Sequence, residues 1–265
     1  MTTIAVAATA PFGANVLERL AGRRKIVFCL TRPDRPRGRG RKVAPSPAKE
    51  VASRLGIPVL QPERLDGSLE LDVETIVAVA YGALVPPSLL ERHLWLNVHP
   101  SLLPRWRGAA PVERAIMAGD RKTGVTIIKL VEELDAGPIV AQRAFPIEPD
   151  DDAGAIYAKA TPVAVELVEE ALEAPIFRPQ PEAGATYAAK IGAADRELDL
   201  LGPSEELLDR VRALSPHIGA RTVLHGRRMT VWKARVEKGA FVPVEVQPDG
   251  RRRMTYEGFL RGLRA

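Results

Sequence analysis

The sequence predicts an α/β protein in which a Rossmann-like, mainly parallel sheet with helices on both faces is followed by a small β-barrel-like module. Three observations carry that expectation. Short β-branched runs alternate with helix-period segments through roughly the first 175 residues, the pattern of parallel strands joined by crossover helices. A stretch with three prolines at 174–186, APIFRPQPEAGAT, then interrupts all periodicity. Beyond it come one amphipathic helix and a succession of short strands, as in small barrel folds.

Taken in order, residues 4–8 and 26–30 read as strands around a helix over 14–20. A helix follows at 47–55, then a short strand near Val59 and the buried-looking strand TIVAVA at 75–80. A helical turn at 86–92 leads into LWLNVH at 94–99, and two further strands fit 125–130 and 139–145. Asp150, Asp151 and Asp152 offer caps and dipole-matched charge for a long helix from Ala153 to about Ala171. In the second part a helix is expected at 204–214, whose Leu207, Leu208, Val211 and Leu214 share a face, then strands at 221–225, 229–235 and 241–246.

Composition narrows the class. A chain of 265 residues is long enough for about two domains, and 46% hydrophobic with 27% charged residues is ordinary for a soluble enzyme. No apolar run approaches the roughly 20 residues of a membrane span, and no basic leader precedes the first apolar segment. The single cysteine, Cys29, sits in a strand pattern and reads as a buried structural thiol. These features predict a cytoplasmic protein with no membrane partner, acting as a monomer.

The net charge of +5 is unevenly placed. Residues 1–177 hold 22 basic and 22 acidic side chains, whereas residues 178–265 hold 16 basic against 11 acidic and supply the whole excess. Within the neutral part, TRPDRPRGRGRK at 31–42 has six basic side chains and one acidic, Asp34. Two separated basic features point to a polyanionic partner.

The stretch LNVHPSLLPRWRGAAPVERAI at 96–116 is the richest in chemistry. Strand period places Asn97 and His99 on one face with Val98 on the other. Both fall where a parallel strand should end, and open α/β sheets bind ligands beyond those carboxyl ends. A carboxamide beside an imidazole suits a carbonyl that becomes an oxyanion. It does not suit a metal, because no cysteine or second nearby histidine completes a ligand set. Alone, Asn-x-His is more often a capped strand end with a hydrogen-bonded histidine. The loop that follows, SLLP and then RWRG, is rich in proline, glycine and an aromatic residue, which suits a ligand wall. Asp135 lies in a D-A-G turn between two strands and could be a turn former.

The combination N-x-H-x-S-L-L-P-x-x-R-G, T-G-V-T and L-D-x-G resembles the folate-dependent formyltransferases. TRPDRPRGRGRKVAPSPAKEVA, VAYGALVP, YAAKI, VRALSPHIGA and VQPDGRRRMTYEGFLRG extend the likeness over about residues 24–262. The resemblance implies catalytic roles for Asn97, His99 and Asp135, and 10-formyltetrahydrofolate as the formyl donor, with no metal. It implies a reduced-folate site formed by Ser101, Leu102, Leu103 and Pro104, with Tyr81, Gly82 and Leu84 on the pterin side acting largely through backbone. It also implies an oligonucleotide-binding-type barrel and, as the amine, the α-amino group of methionyl initiator tRNA. Arg35, Arg37, Arg39, Arg41 and Lys42 would then form a flexible cationic arm, and Arg251, Arg252 and Arg253 would add tRNA contacts from the C-terminal domain. The expected division is a catalytic domain at 1–177, a linker at 178–186 and a tRNA-binding domain at 187–265. The alternative is a family member acting on a small amine such as an amino-sugar nucleotide.

Overall fold

A computed structural model describes residues 3–37 and 42–264, with Arg37, Lys42 and Arg264 described by backbone alone. The chain runs β1 (Ile4–Ala8), α1 (Pro11–Ala21), β2 (Ile26–Leu30), β3 (Arg35–Arg37), β4 (Lys42–Ala44), α2 (Pro47–Arg54) and β5 (Val59–Leu60). It continues through β6 (Thr75–Val79), α3 (Pro87–Arg92), β7 (Leu94–His99), β8 (Arg107–Gly108), α4 (Pro111–Met117), β9 (Lys122–Lys129), β10 (Ile139–Pro146) and α5 (Ala153–Glu173). The last part holds β11 (Tyr187–Ala188), a 3-10 turn at Ala194–Arg196, α6 (Ser204–Leu214), β12 (Ala220–Leu224), β13 (Arg227–Glu237), β14 (Ala240–Pro248), β15 (Met254–Thr255) and α7 (Tyr256–Arg264). Two compact units result: residues 1–107, 124–144 and 159–186, and residues 108–123, 145–158 and 187–265.

The first unit is built on a seven-stranded sheet in the order β10-β9-β7-β6-β1-β2-β5. β1 pairs parallel with β2 and β6, β6 with β7, and β2 with β5, while β9 runs antiparallel to β7. The chain moves outward from β1 through β2 to β5, then crosses back to β6 and β7. At such a reversal open α/β sheets place ligands beyond the carboxyl ends of the flanking strands, here β1 and β6. The apolar runs read as strands are buried on both faces: all five residues of β1 have no exposure. Phe28, Ile76, Leu89 and Trp95 pack in one cluster, and the Trp95 indole donates to the Leu89 carbonyl at 3.0 Å. Cys29 is fully buried, and burial pushes its thiol up to about 12. Ser46 caps α2 by accepting from the Lys49 amide at 3.0 Å, with Pro47 opening the helix.

The basic segment expected as a flexible arm is, where described, a short hairpin, with Arg35 opposite Ala44 and Arg37 opposite Lys42. Arg39 and Arg41 lie outside the described residues. The proline-rich segment is anchored, because Arg178 and Ile139 exchange backbone hydrogen bonds of 2.9 and 2.7 Å and Gln180 is buried.

In the second unit, β12-β13-β14-β15 form an antiparallel meander. β12 and β15 are its edges. β15 is two residues long and passes at once into α7, so the sheet described is open. Leu207, Val211 and Leu214 of α6 pack on Met229, Val231, Val246 and Phe259. Arg114 of α4 grips Asp195 with two bonds of 2.7 and 2.9 Å, holding that carboxyl below the usual range. At the start of α5, Asp152 accepts from the Ala155 amide at 2.8 Å, the cap foreseen there.

Candidate active site

β7 ends in Asn97-Val98-His99, and its pleat turns Val98 into the core while Asn97 and His99 face the same way. The antiparallel neighbour β9 supplies Ile128 and Thr126 opposite Asn97 and His99. The turn between β9 and β10 returns Asp135 to that face. Its carboxylate is the meeting point: Asn97 Nδ2 donates to Oδ1 at 3.2 Å, and His99 Nδ1 lies 3.6 Å from Oδ2. His99 and Asp135 are only 4% and 8% exposed, so the pair is poorly screened by water. The second ring nitrogen of His99, Nε2, is 2.7 Å from the Trp106 carbonyl oxygen. Both ring nitrogens therefore face oxygen acceptors. An amide NH2 has two hydrogens, and the bond to Asp135 uses one of those on Asn97.

Two tight approaches shape this rim. Asp135 is in the left-handed region at φ 50°, which aspartate tolerates better than most residues. Gly137 passes so near Lys129 that a Cβ would collide with the Lys129 carbonyl, so only glycine fits without moving the strand. On the neighbouring β6 rim, Ala80 and Gly82 are also left-handed, at φ 46° and 75°. Arg32 Nη1 donates to the Gly82 carbonyl at 3.0 Å.

The SLLP loop is bound from below by a polar cluster. Thr126 Oγ1 donates to the Ser101 carbonyl at 2.6 Å and accepts from the Leu103 amide at 3.2 Å. Gln142 Nε2 donates to the Leu103 carbonyl at 3.0 Å and to Thr126 Oγ1 at 2.8 Å. Ser101 Oγ accepts from the Trp106 amide and donates to the Trp106 carbonyl, both at 3.1 Å. The Leu103–Pro104 and Arg105–Trp106 peptides are cis. The Arg105 guanidinium lies 3.9 Å over the Trp106 ring. Gly124 lets the loop close, since a Cβ there would meet the Arg143 carbonyl and the Leu102 side chain.

Of the other residues named from the sequence, Tyr81 has its side chain in the core, with its hydroxyl pushed up to about 12 by burial. Leu84 is 84% exposed. Arg251, Arg252 and Arg253 are all exposed, and Arg253 also stacks 3.6 Å over Trp232 and donates to the Pro216 carbonyl at 3.0 Å. Sequence reasoning passed over Arg107, Thr126, Gln142 and Gln180. Arg107 and Thr126 lie inside the S-L-L-P-x-x-R-G and T-G-V-T motifs; Gln142 and Gln180 have no local signal. A cavity of about 560 Å³ in the second unit is lined by Glu197, Asp199, Arg221, Arg228 and Asp249 and by none of these rim residues.

A carboxamide, an imidazole and a carboxylate brought together beside the carboxyl end of β7 in a Rossmann-like sheet suit a group-transfer enzyme of the α/β class. The chain belongs to the formyl transferase family: residues 2–172 match the model described as formyl transferase, and residues 190–243 that of the formyl transferase C-terminal domain. Among its relatives is the methionyl-tRNA formyltransferase of Chromohalobacter salexigens, 42% identical over 243 residues, covering 87% of this chain and 75% of the relative. The fold is similar to the methionyl-tRNA formyltransferase from Clostridium thermocellum, with a TM-score of 0.67 at 19% identity, covering 94% of this chain and 99% of that one. It is also similar to WlaRD, a sugar 3N-formyl transferase solved in the presence of dTDP and 5-N-formyl-THF, with a TM-score of 0.68 at 14% identity, covering 95% and 99%.

Proposed function

We propose that this formyltransferase moves the formyl group of 10-formyltetrahydrofolate to the α-amino group of methionyl initiator tRNA, the step that prepares it for translation initiation. What supports the chemistry is the convergence of Asn97, His99 and Asp135 on one carboxylate beside the SLLP loop. What supports the substrate is a relative of that name at 42% identity, together with the basic hairpin and the basic C-terminal part.

The amine attacks the formyl carbon, and a tetrahedral oxyanion develops. The second amide hydrogen of Asn97 is the donor for that charge, and losing one such donor typically costs about 10²–10³ in rate. Asp135 takes the proton released by the attacking nitrogen, directly or through one water, while His99, held through Nε2, steadies its second oxygen. An α-amine titrates near 7.7–8.0, so a neutral fraction is present at pH 7 and positioning contributes as much as basicity. The carbon–N10 bond then breaks and N10 receives the proton. The backbone of Ser101, Leu102, Leu103 and Pro104 and of Tyr81 and Gly82 would hold the folate. Leu84, an apolar side chain left open on that loop, fits a flat ring.

The arm at 35–42 and the exposed Arg251 and Arg252, with Arg253, would lie against tRNA phosphates, giving an affinity that falls with salt. Residues 1–177 would then be the catalytic domain, 178–186 the connection and 187–265 the tRNA-binding part. Among the described residues no helix is long and apolar enough to cross a membrane. A monomer working in the cytoplasm fits the single buried thiol. Deleting residues 35–42 tests the substrate: the KM for charged tRNA should rise about tenfold or more, with transfer to a small amine unchanged. Equal loss with both amines, or no loss with either, would count against tRNA. The WlaRD likeness makes an amino-sugar nucleotide the comparison amine.

A further inference from the structure

Arg107 is fully buried, at 0% exposure, and fold stability is a poor reason to bury a guanidinium. Its Nε donates to Gln180 Oε1 at 3.2 Å. Its Nη1 and Nη2 have no hydrogen-bond partner among the described residues; the nearest acids, Glu133 and Glu182, stand 3.9 and 3.7 Å away and are largely exposed. Gln180 is equally committed. Its Nε2 donates to the carbonyls of Asp135 and Gly137, each at 2.7 Å, and its Oε1 faces Arg107. The amide has one satisfactory orientation, because the reverse would set its oxygen against two carbonyls and its NH2 against a cation. On the main-chain side, the Arg107 amide donates to the Thr186 carbonyl at 2.8 Å, and the preceding carbonyl, that of Trp106, is the acceptor for His99 Nε2.

We infer that Arg107 and Gln180 are positioning residues that fix the Asp135 carboxylate against His99. One residue thus reaches both halves of the pair: its backbone anchors the carbonyl that holds the imidazole, and its side chain orients the amide that holds the left-handed Asp135 turn. The inference rests on the catalytic reading of Asp135 given above. Neither residue touches the reacting atoms; both act through Asp135. A displacement of about 1 Å at such a group costs about 10²-fold in rate.

The test uses the full chain with Gln180→Met, which keeps length and removes all three hydrogen bonds, Gln180→Glu, which keeps the bond to Arg107 but sets an oxygen against the two carbonyls, and Arg107→Lys. The expected result for Gln180→Met is a kcat lower by about 10–100-fold, with both KM values within about threefold and no further loss when it is combined with Asp135→Ala. Should Gln180→Met fail to fold by circular dichroism, Gln180→Glu is read the same way, and Arg107→Lys should fall between it and the parent. A folded Gln180 variant with kcat within about twofold of the parent, or a loss that multiplies in full on Asp135→Ala, overturns the inference. If Asp135→Ala itself retains full turnover, the catalytic reading fails; if it is inactive while Gln180→Met is normal, only the positioning role does.

Discussion

Replacing Thr126 by valine should loosen the SLLP loop, and the structure sets the size of the effect. Thr126 is fully buried, and its hydroxyl serves three groups: the Ser101 carbonyl at 2.6 Å, the Leu103 amide at 3.2 Å and Gln142 Nε2 at 2.8 Å. Valine keeps the volume and removes the hydroxyl. Gln142 retains the Leu103 carbonyl, but the Ser101 carbonyl and the Leu103 amide lose these partners in a buried setting. Each costs about 1–3 kcal/mol, so the sum is about 2–6 kcal/mol. At about 2–4 °C per kcal/mol for a domain of this size, the melting midpoint should fall by roughly 4–24 °C. The same loosening should raise the KM for 10-formyltetrahydrofolate with a smaller change in kcat, and Thr126→Ser should restore both. Thermal melts followed by circular dichroism, with initial rates over a folate series, measure this. A Thr126→Val variant that melts within a degree of the parent and binds folate equally well would refute the reasoning.

Other outcomes follow from the same geometry. Asn97→Ala, His99→Ala and Asp135→Asn should each lower turnover by about 10²-fold or more while the melting midpoint stays within a few degrees, as single-turnover assays and melts will show. Gly137→Ala should destabilise the chain and cut activity together, because its methyl group strikes the Lys129 carbonyl and displaces the Asp135 turn; paired melts and rates report it. Burial raises the Glu113 carboxyl, against smaller lowering from hydrogen bonds including Tyr157. The folded state therefore holds that proton more tightly than the unfolded one, and the stability it brings is full below the unfolded value near 4.3 and fades as pH rises through the folded one. Glu113→Gln should accordingly match the parent near pH 4 and melt higher than it at pH 7, and a midpoint difference that does not grow with pH would contradict this.

Much of the first unit was legible because its strands are continuous apolar runs: β1, β6 and β7 fall within one residue of the segments read from the sequence, and α6 matches at both ends. The antiparallel direction of β9 was not legible, since an apolar run carries no sign of its partner's direction. The β3–β4 hairpin was missed because Arg-Pro-Arg and Lys-Val-Ala offer no alternating apolar face to signal a strand. α4 went unread, its seven residues following closely on the RWRG turn. In the site, period two was enough to bring Asn97 and His99 together, whereas Asp135 gained its role from resemblance, being a plausible turn former on its own. Gln180 lay in a stretch read as linker, 45 residues from Asp135 and 73 from Arg107; contacts at such separation leave no local trace in the chain.

One assay bears most directly on the whole account: consumption of 10-formyltetrahydrofolate by the intact chain, with charged initiator tRNA, with uncharged tRNA and with an amino-sugar nucleotide. Turnover should appear with the charged tRNA, be absent with the uncharged one, and be lost in Asp135→Asn. Turnover with the amino-sugar nucleotide alone, or in the absence of any amine, would contradict it.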